Sequence, residues 1–108
     1  MRFHAFDLSL ELLRSLRPVL KLLAVRAPYL RKHLEEAASS SSLNLAEGAG
    51  RRGRERQYHY GVAHGSAEEA RGVLRVGEAL GHLEPEDIAL PLEILDREIA
   101  MMWKLLRR

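Results

Sequence analysis

The residues best placed to do chemistry in this chain are Arg51, Arg52, Arg54 and Arg56, four arginines within six positions, followed closely by Tyr58 and Tyr60. A guanidinium presents a planar fork of N–H donors that matches two oxygens of a phosphate. Free backbone amides at the start of a helix add further donors, and an exposed phenol ring can stack on an unpaired base. These six residues form the candidate nucleic-acid-binding set, gripping a sugar-phosphate backbone without cleaving it. The same charges have a second use. Positive side chains oppose the dipole at a helix N-terminus, so the arginines can instead bridge to an acidic helix of a neighbouring subunit. Arg31 and Lys32, or Arg107 and Arg108, would extend either surface.

A second set, Asn44, Glu47, Ser66 and Glu69, places polar side chains on helix faces that otherwise suit packing. The simplest use is a structural polar network joining two helices, since a buried carboxylate needs donors and Asn44, Ser66 or Arg51 can supply them. The competing use is a general acid/base pair, Glu47 with Glu69, but no nucleophile or oxyanion donor accompanies them. For metal, Glu55 and His59, and then His64 and Glu68, stand four apart and so share a helix face, a spacing that also describes a surface ion pair. The Glu-x-x-His pairs of di-iron bundles do not occur. A phosphate-binding P-loop and a Gly-x-Ser-x-Gly elbow are also missing. The expectation is a protein that is not an enzyme and that takes neither cofactor nor metal.

Positioning these residues falls to a chain of 108 residues, enough for one domain spanning 1–108. Cysteine is absent, so packing must supply the stability. That points to the cytoplasm, as does an N-terminal stretch too often interrupted by charge to be a signal peptide. No segment approaches a membrane-spanning run. The net charge is only +2, but residues 1–34 hold seven Lys and Arg against Asp7 and Glu11, whereas residues 84–98 hold six acids against Arg97. Such asymmetry suits pairing between helices or subunits, and a domain this small gains from burying more surface by self-association.

Apolar periodicity predicts four helices. Leu8, Leu12, Leu13, Leu16, Val19, Leu20 and Leu23 trace the first, with a kink at Pro18 and an end near Val25. Pro28 opens the second, which runs from about Tyr29 through the serines 39–42 towards Ala46. Gly48, Gly50 and Gly53 mark a turn, and the third helix extends from about Arg54 to Leu80, closed by Gly81. Its predicted seam is Tyr58, Val62, Gly65, Glu69, Gly72, Val76 and Leu80. Glycines at 61, 65, 72 and 77 imply another backbone close by. The fourth helix follows Glu84 and Pro85, with Ile88, Leu92, Leu95, Ile99, Met102 and Leu106 as its seam, Pro91 in an early turn, and Lys104, Arg107 and Arg108 at its negative end. No stretch alternates with the period of a strand. The predicted fold is all-α, an antiparallel up-and-down four-helix bundle.

Two stretches carry a resemblance: Asn44-Leu45-Ala46-Glu47-Gly48-Ala49-Gly50-Arg51, and Ala63-His64-Gly65-Ser66-Ala67-Glu68-Glu69. They resemble the paired Asn-Ile-Ala-Glu-Gly and Ala-x-Gly-Ser-x-x-Glu signatures of small bacterial four-helix-bundle proteins first noticed as reading frames in intervening sequences of 23S rRNA genes. The resemblance implies a homopentamer of bundles. It also implies a distant kinship with the accessory variability protein of diversity-generating retroelements, a protein thought to bind nucleic acid and a reverse transcriptase. Where family members often have a Gln-x-x-Arg-Ala-Ala run followed by a Ser-Ile pair, this chain has His33, Glu36, Ala37, Ala38, Ser40 and Ser41. Two expectations follow. One is a non-catalytic, oligomeric accessory protein that binds RNA or another single-stranded nucleic acid. The other is a structural or adaptor oligomer whose partner is a protein.

Overall fold

The computed structural model describes residues 3–107, whose regular structure is entirely helical: α1 His4–Ser15, α2 Arg17–Arg26, α3 Pro28–Ala49, α4 Gly53–Ala79 and α5 Pro85–Leu106. Arg108, expected at the end of the last helix and as an extension of the basic surface, lies outside the described residues.

The first apolar line is divided between two helices. Proline at 18 lacks an N–H and its ring crowds the carbonyl four residues earlier, so α1 stops at Ser15. The chain restarts at Arg17, placing Pro18 in the first turn of α2, where a missing amide has no partner to lose. Leu16 between them keeps a right-handed conformation and its N–H donates to Leu12 O at 3.0 Å, which makes the junction a bend and not a loop. Leu8, Leu12, Leu16, Val19 and Leu23 are all buried along it.

α3 passes through its four serines without a break because the hydroxyls of Ser40, Ser41 and Ser42 are engaged with side chains of other helices. α4, with 27 residues at about 1.5 Å each, spans nearly the whole 42 Å length of the molecule. α5 opens with a reciprocal cap in which the Glu84 N–H donates to Asp87 Oδ2 at 2.8 Å while the Glu84 side chain accepts from the Asp87 amide. The helix starts at Pro85 and continues through Pro91, which is buried.

α4 corrects the predicted seam. Its buried line is Tyr60, Ala63, Ala67, Ala70, Val73, Leu74 and Gly77, whereas Tyr58, Gly65, Glu69, Gly72, Val76 and Leu80 face outward. Alanine carries little weight in a search for bulky apolar residues, yet on this line of small side chains α3 and α4 make the most extensive contact of all the helix pairs. The glycines divide accordingly. A Cβ on Gly77 would stand 2.8 Å from the Leu83 side chain, and one on Gly48 of α3 would stand 2.7 Å from the Tyr60 ring. At Gly61, Gly65 and Gly72 no other helix brings an atom within 4 Å of an added Cβ among the described residues, so the close approach expected there is not made within the chain.

α1 packs on α3 and α5, α4 packs on the same two, and α2 lies against α3 with a smaller contact to α5. Phe3 meets Tyr60 with ring centroids 6.0 Å apart, and the Gln57 amide donates to Leu105 O at 3.4 Å. The start of α1, the α3–α4 turn and the end of α5 therefore share one end of the molecule. At the other, Arg26 donates to His82 O at 2.8 Å, tying α2 to the α4–α5 turn.

Candidate functional site

The arginine turn joins α3 to α4. Gly53 alone in this turn has a left-handed backbone, φ +56°, which a glycine adopts without a Cβ penalty, and α4 begins there. Arg52 stands at the N-cap, and no side chain caps the helix, so the first amides of α4 point out of its end without a side-chain acceptor. The four arginines have separate occupations. Arg51 donates to Glu47 Oε1 at 3.0 Å and to Glu55 Oε2 at 3.3 Å, and the Glu47 hydrogen bond, followed by that carboxylate's charge, holds its guanidinium above the usual value. Arg56 turns back to donate to Gly48 O at 3.2 Å and Ala49 O at 3.4 Å, satisfying carbonyls at the end of α3. The Arg52 and Arg54 side chains are exposed and have no ion-pair or hydrogen-bond partner among the described residues. The last turn of α5 adds Lys104 and Arg107, with the Arg107 guanidinium 5.9 Å from the centre of the Trp103 ring.

The two tyrosines part company. Tyr58 is 67% exposed, with its ring edge-on to His59 at 5.2 Å between centroids. Tyr60, expected to stack a base, is buried against Gly48 and Phe3 and belongs to the core. Residues 58 and 60 are separated by about 200° around a helix, so they cannot both face one ligand.

The predicted polar network forms in a different composition. Asn44 Nδ2 donates to Ser40 O at 3.0 Å and to Ser40 Oγ at 3.2 Å, and Ser40 Oγ lies 2.9 Å from Ser66 Oγ. His59 Nδ1 lies 2.9 Å from Asn44 Oδ1. Because the Asn44 amide nitrogen is committed to a backbone carbonyl, its oxygen must face His59, and His59 must donate. The network thus links Asn44 and Ser66, and it recruits Ser40 and His59. Glu47 and Glu69 stay at the surface, one with Arg51 and the other 3.8 Å from His33 Nδ1. Glu69 lies ten residues beyond His59 along α4, roughly 15 Å, and it is His59 that lines one groove with Glu47. The two carboxylates therefore do not face one bond. Leu43, Asn44, Ala46, Glu47 and His59 line an open groove of about 480 Å³ over this network.

The carboxylate that is buried is Glu98 of α5, with no exposed surface. Ser41 Oγ donates to its Oε2 at 3.0 Å, and Oε1 has no hydrogen-bond partner among the described residues. Burial pushes this carboxyl up to about 7, with the Ser41 hydrogen bond opposing the shift. Beside it, Ser42 Oγ donates to Ser9 Oγ at 2.8 Å and Ser9 Oγ donates to Phe6 O at 2.6 Å, giving a polar layer through α1, α3 and α5. A signal for this layer was available: Glu98 continues the buried line Ile94, Leu95 and Met102, and Ser41 continues Leu34, Ala38 and Leu45. With no surface open to a substrate, Glu98 is a structural group.

Arg71 donates to Glu68 at 2.8 Å and to Asp96 at 2.9 Å, which joins α4 to α5 and engages Glu68 away from His64, 4.0 Å distant. Glu55 is engaged by Arg51 and His59 by Asn44. Among the described residues no three His, Asp or Glu side chains converge as metal ligands, and no helix is long and apolar enough to cross a membrane. Compared with known proteins, the chain matches no family model, no curated protein and no solved structure.

Proposed function

We propose that this protein is a non-catalytic binder of single-stranded nucleic acid, RNA foremost, which it engages at the basic end of the molecule. The observation that carries the reading is the meeting of two distant segments there. Arg52 and Arg54 at the start of α4 stand at the same end as Lys104 and Arg107 at the end of α5, beside an uncapped helix N-terminus and the exposed Tyr58 ring. Positive charge, free amides and an accessible ring are what a phosphate chain with unpaired bases requires. The working residues are Arg52, Arg54 and Tyr58, while Arg51, Arg56 and Tyr60 serve the fold.

A second reading, a structural or adaptor oligomer, draws on the outward face of α4. Gly61, Gly65 and Gly72 are open there, near the exposed Val76 and Leu80. A helix tolerates such glycines at up to about 1 kcal/mol each, a cost that close approach by a second subunit would offset. With α1 and α2 taken as one bent helix, the arrangement suits a four-helix bundle. The paired motifs then favour the intervening-sequence family and a pentamer, in which a ring of basic ends would bind a polymer more tightly than one end alone.

The test is fluorescence anisotropy of a labelled single-stranded RNA across a salt series, with native protein and an Arg52→Glu/Arg54→Glu variant of equal native mass. Affinity that falls steeply with salt, and a variant whose salt slope is smaller by about 0.7 per lost phosphate contact, supports the reading. No binding at low salt overturns it and leaves the adaptor.

A further inference from the structure

We propose that the groove over Asn44 and His59 is a niche for one unpaired nucleobase bearing an amino group, adenine, cytosine or guanine. The niche rests on the nucleic-acid reading, because the strand it samples is the one whose phosphates lie on Arg52 and Arg54.

The groove belongs to the arginine turn. Glu47, one of its lining residues, is held by Arg51, the residue before Arg52. His59, another, is six residues beyond Gly53, roughly 9 Å along α4, so a strand with a phosphate at the turn can lay a neighbouring base in the groove. Leu43, 68% exposed, and the exposed Tyr58 ring against His59 offer apolar and aromatic surface for a base plane.

The polar groups make the niche selective. The Asn44 amide nitrogen is committed to Ser40, so Asn44 Oδ1 takes the proton on His59 Nδ1 and leaves His59 Nε2 as an acceptor. Glu47 keeps Oε2 free while Oε1 receives Arg51. Both lining groups that can reach a ligand are thus acceptors, and they match a base edge that offers N–H. The exocyclic amines of adenine, cytosine and guanine supply it, whereas uracil presents mostly carbonyl oxygen. A second-residue lock on the imidazole is what gives the site a direction, as it does wherever one ring nitrogen's partner sets the role of the other.

The experiment compares three labelled single strands of equal length on the full chain by anisotropy: oligo-C, oligo-U and an abasic sugar-phosphate chain. Oligo-C binding about fivefold tighter than oligo-U, the scale of one net hydrogen bond, with the abasic chain weakest, is the expected result. His59→Phe keeps a ring for stacking and removes the acceptor, so it brings oligo-C to the oligo-U level while the abasic affinity holds. Ser40→Ala, which leaves the Asn44 amide bonded to the Ser40 backbone carbonyl and its oxygen toward His59 Nδ1, retains the oligo-C preference and guards against misfolding of a single variant; loss of the preference there would overturn the niche. Equal binding of all three strands overturns the niche and leaves the phosphate site standing. Binding of none overturns both.

Discussion

Glu47 and Glu98 are the same side chain in opposite circumstances. Glu47 stands in the last turn of α3 in solvent, 51% exposed, with Arg51 alongside, and near it Asn44, Ser40, Ser66 and His59 pass hydrogen bonds from one to the next. Glu98 is shut into the interior with one donor, Ser41, and one oxygen without a hydrogen-bond partner among the described residues. A polar group at the rim can turn to water or a ligand for what the protein does not supply. A buried one cannot, and it adjusts by holding its proton. The rim is therefore where this protein can recognise something, and the interior polar layer is where its stability responds to pH.

The largest effect should come from Glu98. Its ordinary value of 4.5 applies in the unfolded chain and a value of about 7 in the fold, so between these the folded state keeps a proton that the unfolded state has released. Stability then falls as pH rises from 4.5 to about 7 and levels off above, a loss of roughly 3 kcal/mol. Urea midpoints over that range should slope downward for the native protein. Glu98→Gln should flatten them and be the more stable chain above neutrality. A native profile without the slope would mean that Glu98 is hydrated after all.

Ser41→Ala comes next. It takes away the donor to Oε2, leaving the carboxylate form with none among the described residues, and above pH 7 it should cost about 1–3 kcal/mol. Below pH 4.5 the neutral acid needs that donor less, so the cost should shrink. A penalty that is the same at both ends would show Ser41 acting through packing alone.

Arg51→Ala should have the smallest effect. Exposed pairs three or four residues apart gain little against water and side-chain entropy, so the urea midpoint should stay where it is. Since Glu47 and Glu55 already neutralise Arg51, RNA affinity should fall less than in Arg52→Glu or Arg54→Glu. A larger fall would place Arg51 on the phosphate and erase the division among the four arginines.

Sequence by itself determined the helices. Proline positions set the α1–α2 bend and the starts of α3 and α5, Gly50, Gly53 and Gly81 set the two turns while Gly48 stays within α3, and apolar spacing set the buried lines of α1 and α2; in α5 only Ile88, Leu95 and Met102 of the expected seam are buried, joined by Pro91, Ile94 and Glu98, with Leu92, Ile99 and Leu106 half-buried. These are local rules of backbone donors, φ and side-chain period, and they hold whatever the helix meets. Which face of α4 turns inward was decided only by tertiary structure, because alanines and Gly77 become a core line only once α3 lies against them. The same contact chose His59 and Ser40 over Glu47 and Glu69 as partners of Asn44 and Ser66, sent Tyr60 inward and left Tyr58 out, and enclosed Glu98. Each outcome depends on a neighbour far away in the chain, and a helix repeat cannot say which of its faces that neighbour will cover.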